Sequence, residues 1–338
     1  MAQRYFYEID GLRFYAFLFI LMNHSGVWRG MGGPAFFFTL SGFLIAFTTI
    51  SGIKRNGRFY LKQYLIKRVL RTFPLYFFIV IGSGIFYVIA RQWHLTISFR
   101  NYWSFFIFLQ NYFGYGTIFI LTNLWAMAVA EQLYLGWGLL CLLLQSHIIK
   151  LILPLTAVIT VIVFLIKTFS FIHYASTLHY ISIYLLGAYC GILYYSRDRL
   201  YHFLQSLNKP LSLIFFYLGC LLILSGFRIS FDIDIHLKRV LVLSAGFCLI
   251  ILSLCYTKFP GKVIFTNKPV RYLGKISYGL YCYHAVVLVA ITKFLTYSGI
   301  TMPAIYIFLI TLLFTIFVSA LSYEYFEKRF IAKKALFI

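Results

Sequence analysis

Acidic residues are nearly missing from this chain. Only 8 Asp and Glu stand against 30 Lys and Arg in 338 residues. Charge of either sign is scarce, at 11% of positions, where a soluble domain carries about a quarter. Such a chain cannot clothe a water-facing surface, which excludes an ordinary soluble globule. Polar stretches longer than loops are lacking too, as are internal repeats and low-complexity segments. The chain is therefore expected to be one membrane domain over 1–338. Cysteine occurs six times, at Cys141, Cys190, Cys220, Cys248, Cys255 and Cys282, always inside apolar runs. None has metal spacing, and no disulfide framework is expected. No pair of histidines has convincing zinc spacing either, so no metal is expected. No small-residue cleavage site follows a short apolar region near the start, so the first span is expected to stay in the protein.

What the chain does have is apolar length. Hydrophobic residues make up 62%, in recurrent runs of about 20, each enough to cross a bilayer as a helix. The expected fold is an all-α polytopic membrane protein with about ten transmembrane helices in one bundle. The spans fall at 10–28, 34–52, 73–90, 122–145, 149–166, 178–196, 211–227, 238–256, 276–296 and 302–325. The 38 Phe and 28 Tyr suit lipid-facing, inter-helix and headgroup positions.

A net charge of +22 first suggests nucleic acid. The basic residues cluster instead in loops between apolar runs, which is a pattern of membrane topology, and no nucleic-acid partner is expected. Loops 53–72, 197–210 and 257–275, the tail, Arg4 and Lys150 hold 21 of the 30. The opposite loops hold 8, and Arg13 lies within the first span. That asymmetry places both termini in the cytoplasm. It requires that "NYWSFFIFLQNYFGYGTIFIL" (101–121), broken by Gln110, Asn111, Gly114 and Gly116, does not cross. It is expected to be interfacial or re-entrant on the outer side, where protein or water covers its backbone.

Three stretches carry polar groups where lipid excludes them. In "LRFYAFLFILMNHSG" (12–26), Arg13 and His24 are eleven residues apart. On a helix that is three turns plus about 20° and a rise of about 16 Å, so both project from one face. Burying them against hydrocarbon costs about 2.5–3.5 kcal/mol for a central arginine, so a shared hydrated cavity is expected. Taken singly, Arg13 can snorkel to headgroups and His24 can be a packing residue. In "LIKRVLRTFPLYFF" (65–78), Arg68 and Arg71 share a helix face and suit phosphate, or equally anionic lipid. In "LWAMAVAEQLYL" (124–135), Glu131 is the one acid inside a long apolar span. It is a functional candidate or a structural hydrogen-bonding group acting through Gln132 or a tyrosine. Asp10 caps the first helix or pairs with Arg13. Glu324 and Glu327 are expected to balance Lys328 and Arg329. His94, His147, His173, His179, His202 and His236 lie at span ends or in loops and are set aside.

These stretches, with "FFFTLSGFLI" (36–45), "ISYGLYCYH" (276–284) and "YEYFEKRFI" (323–331), resemble the acyltransferase 3 family of integral membrane acyltransferases. The Asp-Gly-Leu-Arg opening, the arginine-to-histidine spacing, the Arg-x-x-Arg before proline and the Ser-Tyr-Gly motif all match in register. Two departures stand in the Glu131 segment. Ala126 replaces a usual serine, and Ala130 replaces a frequent second acid. Longer relatives append an SGNH hydrolase-like domain outside the membrane. No such stretch follows the last span, so the membrane part is expected to complete any transfer itself.

The resemblance implies an O-acyltransferase of the inner membrane of a bacterium. It takes an acyl group, usually acetyl, from cytoplasmic acetyl-CoA to a hydroxyl of a cell-surface glycan or lipid-linked saccharide. Acyl-CoA would be a substrate, with no resident cofactor. Arg13, Arg68 and Arg71 would hold the CoA phosphates. His24 would act as base, since imidazole titrates near neutrality, or carry the acyl group itself as an acyl-histidine, and Glu131 would hold its tautomer. Asp10, Ser277, Tyr278 and His284 are candidates for touching substrate or its oxyanion, while Ser277 and Tyr278 equally suit helix–helix hydrogen bonds. A secondary transporter or flippase also buries such residues along a wet route, though no inverted repeat is visible. A structural subunit would have no use for the in-phase Arg13 and His24.

Overall fold

The computed structural model describes residues 5–28, 32–91, 101–114, 119–169, 175–228 and 236–337. Among them all regular structure is helical. In chain order the helices are α1 (Tyr7–His24), α2 (Gly32–Asn56), α3 (Leu61–Arg91), α4 (Trp125–Leu144), α5 (Ile148–Phe169), α6 (Thr177–Ser196) and α7 (Arg199–Ser206). There follow α8 (Lys209–Arg228), α9 (His236–Tyr256), α10 (Lys262–Thr266), α11 (Lys268–Lys275), α12 (Ser277–Tyr297), α13 (Ala304–Ser322) and α14 (Lys328–Ala332).

Among the described residues, eight stretches are long and apolar enough to cross a membrane. The chain is an integral, multi-pass membrane protein. Two of the ten expected spans do not stand out separately, for physical reasons. Glu8, Asp10 and Arg13 all fall within the 18 residues of α1, too much charge for the helix to qualify on composition alone. The fourth and fifth spans run on as one 47-residue stretch, interrupted only at Gln145, whose backbone is left-handed (φ 49°). The side chain of Gln145 fixes that break by accepting a hydrogen bond from Phe59 N at 2.7 Å.

The chain divides by its own contacts into two compact units. The first comprises Met1–Ile20, Gly30–Phe59 and Gly136–Lys275. Its centre is the pair α2 and α6, which pack more extensively than any other two helices. Glycines make the approach possible. A Cβ on Gly42 would run into the Tyr184 carbonyl, and one on Gly187 into the Thr39 carbonyl. Without a hydrophobic drive between helices in lipid, such backbone proximity is what holds them. Phe36 stacks on Phe247 of α9 at 4.1 Å, and Ser253 of α9 donates to Ser212 O of α8 at 3.0 Å. The outer faces of α5 and α8 present Val158, Val161, Leu165, Tyr217, Leu221 and Leu224, which suit lipid.

The second unit comprises Leu21–Arg29, Tyr60–Leu135 and Ile276–Ile338. Segment 101–114 makes no helix of membrane length. It has one four-residue 3₁₀ turn, Tyr102–Phe105, and left-handed backbone at Asn101 and Phe108. It is tied to its neighbours by hydrogen bonds given and received. Tyr76 OH of α3 donates to Phe105 O at 2.8 Å, and Tyr102 OH donates to Val80 O. Gln110 Nε2 reaches Tyr76 OH at 3.0 Å and Leu124 O at 2.9 Å. This is irregular backbone covered by side chains, as an apolar setting demands. Positions 115–118, including Gly116, lie outside the described residues.

Substituting Gly42→Leu puts a side chain where the Tyr184 backbone stands. We expect a loss of about 3 kcal/mol or more, the upper range for overpacking. It would appear as a lower thermal midpoint of detergent-solubilised protein, and an unchanged midpoint would mean the α2–α6 approach is looser than described.

Candidate functional site

In the first unit the start of α1 is bound to the basic segment 262–275. Asp10 is buried, accepts a hydrogen bond from Tyr5 OH at 2.5 Å and pairs with Arg13 at 4.0 Å, as its spacing suggested. Glu8 pairs with Lys262 at 3.9 Å. The Arg271 guanidinium lies 3.5 Å over the Tyr7 ring, a cation–π contact. Arg13 is thus set beside a carboxylate and keeps part of its side chain accessible, at 17%.

The second unit holds the remaining candidates. Arg68 and Arg71 are half-buried one turn apart on α3. The Arg68 guanidinium lies 5.2 Å from the Tyr134 ring centroid and 5.9 Å from that of Tyr64. Tyr64 in turn donates to Tyr134 O at 2.8 Å. The contacts are made by the guanidinium itself, which the two rings hold by cation–π attraction. Three residues beyond Arg71, Pro74 cannot donate to the Leu70 carbonyl, which loosens the helical ladder at that turn.

Tyr278, at the start of α12, donates its hydroxyl proton to Thr72 O at 2.6 Å, and Thr72 Oγ1 bonds back to Arg68 O at 3.0 Å. That is the helix–helix alternative for Tyr278. Its one proton is committed to backbone, so it does not donate to a substrate oxygen in this arrangement. Ser277, beside it, is buried in the first turn of the helix.

Glu131 lies on α4 with Oε1 buried and without a hydrogen bond. Thr72 and the Arg68 guanidinium are the polar groups that act on it. The structural role conceived for this stretch is carried by Gln132, whose Nε2 donates to Phe108 O at 2.7 Å and to Asn111 Oδ1 at 3.0 Å. These bonds fasten 101–114 to α4.

His24 ends α1 and is exposed. Its Nδ1 lies 3.0 Å from Nε2 of His284, with the rings stacked at 22°. His284 is fully buried, at 0%, and its Nδ1 lies 2.6 Å from Tyr281 O. The sequence suggested Glu131 as the group that orients the His24 ring. No hydrogen bond joins those two among the described residues, and His284 fills that place. Two residues 260 apart in sequence, one favoured and one secondary among the candidates, meet here.

Two functional-looking groups escaped the sequence. Glu324 and Glu327 are both expected to balance charge at the membrane edge, and Glu324 does so by bonding Lys328 at 2.9 Å. Glu327 is buried, at 5%, because Tyr323–Glu327 forms a π turn. In a regular helix Glu327 would lie about 80° off the Ser319 face. The wider turn takes up that angle. A Cβ on Gly279 would lie 3.1 Å from Glu327 Oε1 and 3.2 Å from Ser319 Cβ, so the glycine of the Ser-Tyr-Gly motif makes room for the carboxylate. Tyr283 OH donates to Ser322 Oγ, which donates to Glu327 Oε1, each at 3.1 Å. The second missed residue is Asn123, whose Nδ2 donates to Tyr281 O at 3.1 Å while its own carbonyl accepts from Tyr281 OH. Its position one residue before "LW" gave no periodic signal. Among the described residues no cluster of three metal-ligating side chains occurs.

With this arrangement in place, the comparison with known families is specific. Residues 6–324 match the acyltransferase 3 family, described as an acyltransferase domain. The chain belongs to that family, and the match runs through both units. A Bacillus subtilis (strain 168) protein named "Putative peptidoglycan O-acetyltransferase YrhL" is 24% identical over 353 aligned positions, which cover 96% of this chain and 55% of that protein. The chain thus spans about half the length of this relative. No solved structure matches it.

Replacing Gln132 by Leu removes the donor from two acceptors of 101–114. Each buried acceptor stripped of its donor costs about 1–3 kcal/mol. Amide hydrogen exchange over 101–114 should accelerate while α2 keeps its protection. Equal protection in both variants would show that the aromatic packing alone holds the segment.

Proposed function

We propose that the chain is a membrane O-acyltransferase that carries an acyl group, preferentially acetyl, from cytoplasmic acyl-CoA to a hydroxyl of a cell-surface glycan. The observation that carries this reading is the imidazole of His24, held at one nitrogen by a buried histidine, in a chain of the acyltransferase 3 family. His24 takes the proton of the acceptor hydroxyl. The freed oxygen attacks the thioester carbonyl, the C–S bond breaks, and the CoA sulfur receives the proton from the imidazolium. Atoms and charge balance with no further reagent.

The CoA phosphates are assigned to Arg68 and Arg71, one turn apart, since guanidinium forks bind phosphate oxygens in pairs, and the family resemblance implies phosphate binding for Arg13 as well. Asp10 keeps Arg13 in place. The setting is the cytoplasmic membrane of a bacterium, with both termini in the cytoplasm, as the distribution of basic loops favours. The relative's name mentions peptidoglycan, which makes a peptidoglycan fragment one acceptor to offer beside lipid-linked and capsular saccharides.

The test is protein in liposomes given labelled acetyl-CoA and these glycans. His24→Ala should lose about 10²–10⁴-fold in kcat, the usual share of a general base, while still inserting. Undiminished turnover removes His24 from the mechanism, and vesicle uptake of glycan without labelling would point to a transporter. Arg68→Ala and Arg71→Ala should each raise the acyl-CoA Kd roughly tenfold, about 1.4 kcal/mol, and change kcat less. An unchanged Kd would assign the two arginines to lipid headgroups.

A further inference from the structure

The contacts of His284 determine which nitrogen of His24 holds a proton. A backbone carbonyl only accepts hydrogen bonds, so His284 Nδ1, 2.6 Å from Tyr281 O, is the donor there. A neutral imidazole has one N–H, which leaves a lone pair on His284 Nε2. A doubly protonated ring would place an ion at a fully buried position directly beside a second imidazole, an expensive arrangement. His24 Nδ1 lies 3.0 Å from that lone pair and must donate to it. The same count then leaves His24 Nε2 without a proton. This reverses the tautomer a free histidine prefers in water, where the proton sits on Nε2.

The origin of the relay is itself held. The Tyr281 carbonyl also accepts from Asn123 Nδ2 at 3.1 Å, and the Tyr281 hydroxyl donates back to the Asn123 carbonyl. This two-way clamp ties the stretch before α4 to α12 at the residue from which His284 takes its orientation.

We propose that His284 is a positioning residue: together with the Tyr281 carbonyl and Asn123 it holds His24 in the Nδ1–H tautomer, so that Nε2 is the basic atom offered to the acceptor hydroxyl. Its use in catalysis rests on His24 acting as the base. The tautomer itself does not. An imidazole held in the wrong tautomer costs serine proteases about 10⁴-fold in kcat, which sets the scale at stake.

Two measurements decide it. The first reads no activity. Full-length protein labelled with ¹⁵N-histidine in lipid at pH 8 is compared with His24→Ala and His284→Gln to assign both rings. The expected spectrum has Nδ1 protonated and Nε2 bare on both, and a His24 ring protonated on Nε2 overturns the proposal. The second reads turnover. Glutamine at 284 offers an acceptor oxygen near the place of Nε2, and leucine offers none. His284→Gln should stay within about tenfold of wild-type kcat. His284→Leu should lose about 10²–10⁴-fold, with acetyl-CoA KM within twofold of wild type. Equal loss in both variants, with both inserted, would mean that His284 itself meets substrate, and full activity in the leucine variant would mean that the relay is idle. Either result overturns the positioning role. If wild type transfers nothing to any glycan, or His24→Ala keeps full turnover, the base reading fails, while the spectra still decide the tautomer.

Discussion

Polar groups inside this molecule depend on the protein for their partners, because hydrocarbon offers none. That constraint organises the second unit more than apolar packing does. Tyr76 answers the Phe105 carbonyl of a segment that makes no long helix, and Gln110 of that segment answers the Leu124 carbonyl. Gln132 fastens the same segment to α4, Tyr278 fastens α12 to α3, and Asn123 with Tyr281 ties α12 to the stretch before α4. Each bond is worth about 1 kcal/mol net, yet leaving a group unmade costs more than the bond gains, so these few contacts fix the register of the elements that carry the candidate site. His24 and His284 obey the same rule. Their mutual bond satisfies two ring nitrogens within the unit and leaves one nitrogen of His24 to face whatever enters.

The scarcity of acids makes the fate of each one informative. Of the six described, Glu8, Asp10 and Glu324 pair with a nearby base, and Asp198 caps α7 by accepting from Tyr201 N at 3.0 Å. Those are surface or helix-end roles worth a few tenths to about 1 kcal/mol. Glu131 and Glu327 are different, since both sit inside the second unit, near α3 and α12. Nothing in the energetics of folding favours a carboxylate there. Their burial makes both of them candidates for the proposed site. Glu327 needs both a π turn and a glycine at 279 to fit.

Much of the architecture was legible in advance because membrane helices obey a local rule. About 20 apolar residues make a span whatever surrounds them, so helices lie where the apolar runs do. The interruption of 101–121 by amides and glycines likewise announced the lack of a long helix in its described part, 101–114. Family membership was legible for a related reason. Arg13 with His24, Arg68 with Arg71, and Ser277-Tyr278-Gly279 are each contained within one helix or its edge, and short-range spacing survives translation into structure.

What the sequence by itself determined was therefore the helical, membrane-spanning class of the chain, most of its spans, and the residue types available for acyl transfer. The tertiary structure alone decided which of them meet. Helical periodicity places two residues on one face of one helix, but it carries no information about a partner 260 positions away. So His284 came to stand beside His24, Gln132 took the structural bond, and Glu327 turned inward, each through contacts between elements that only folding brings together.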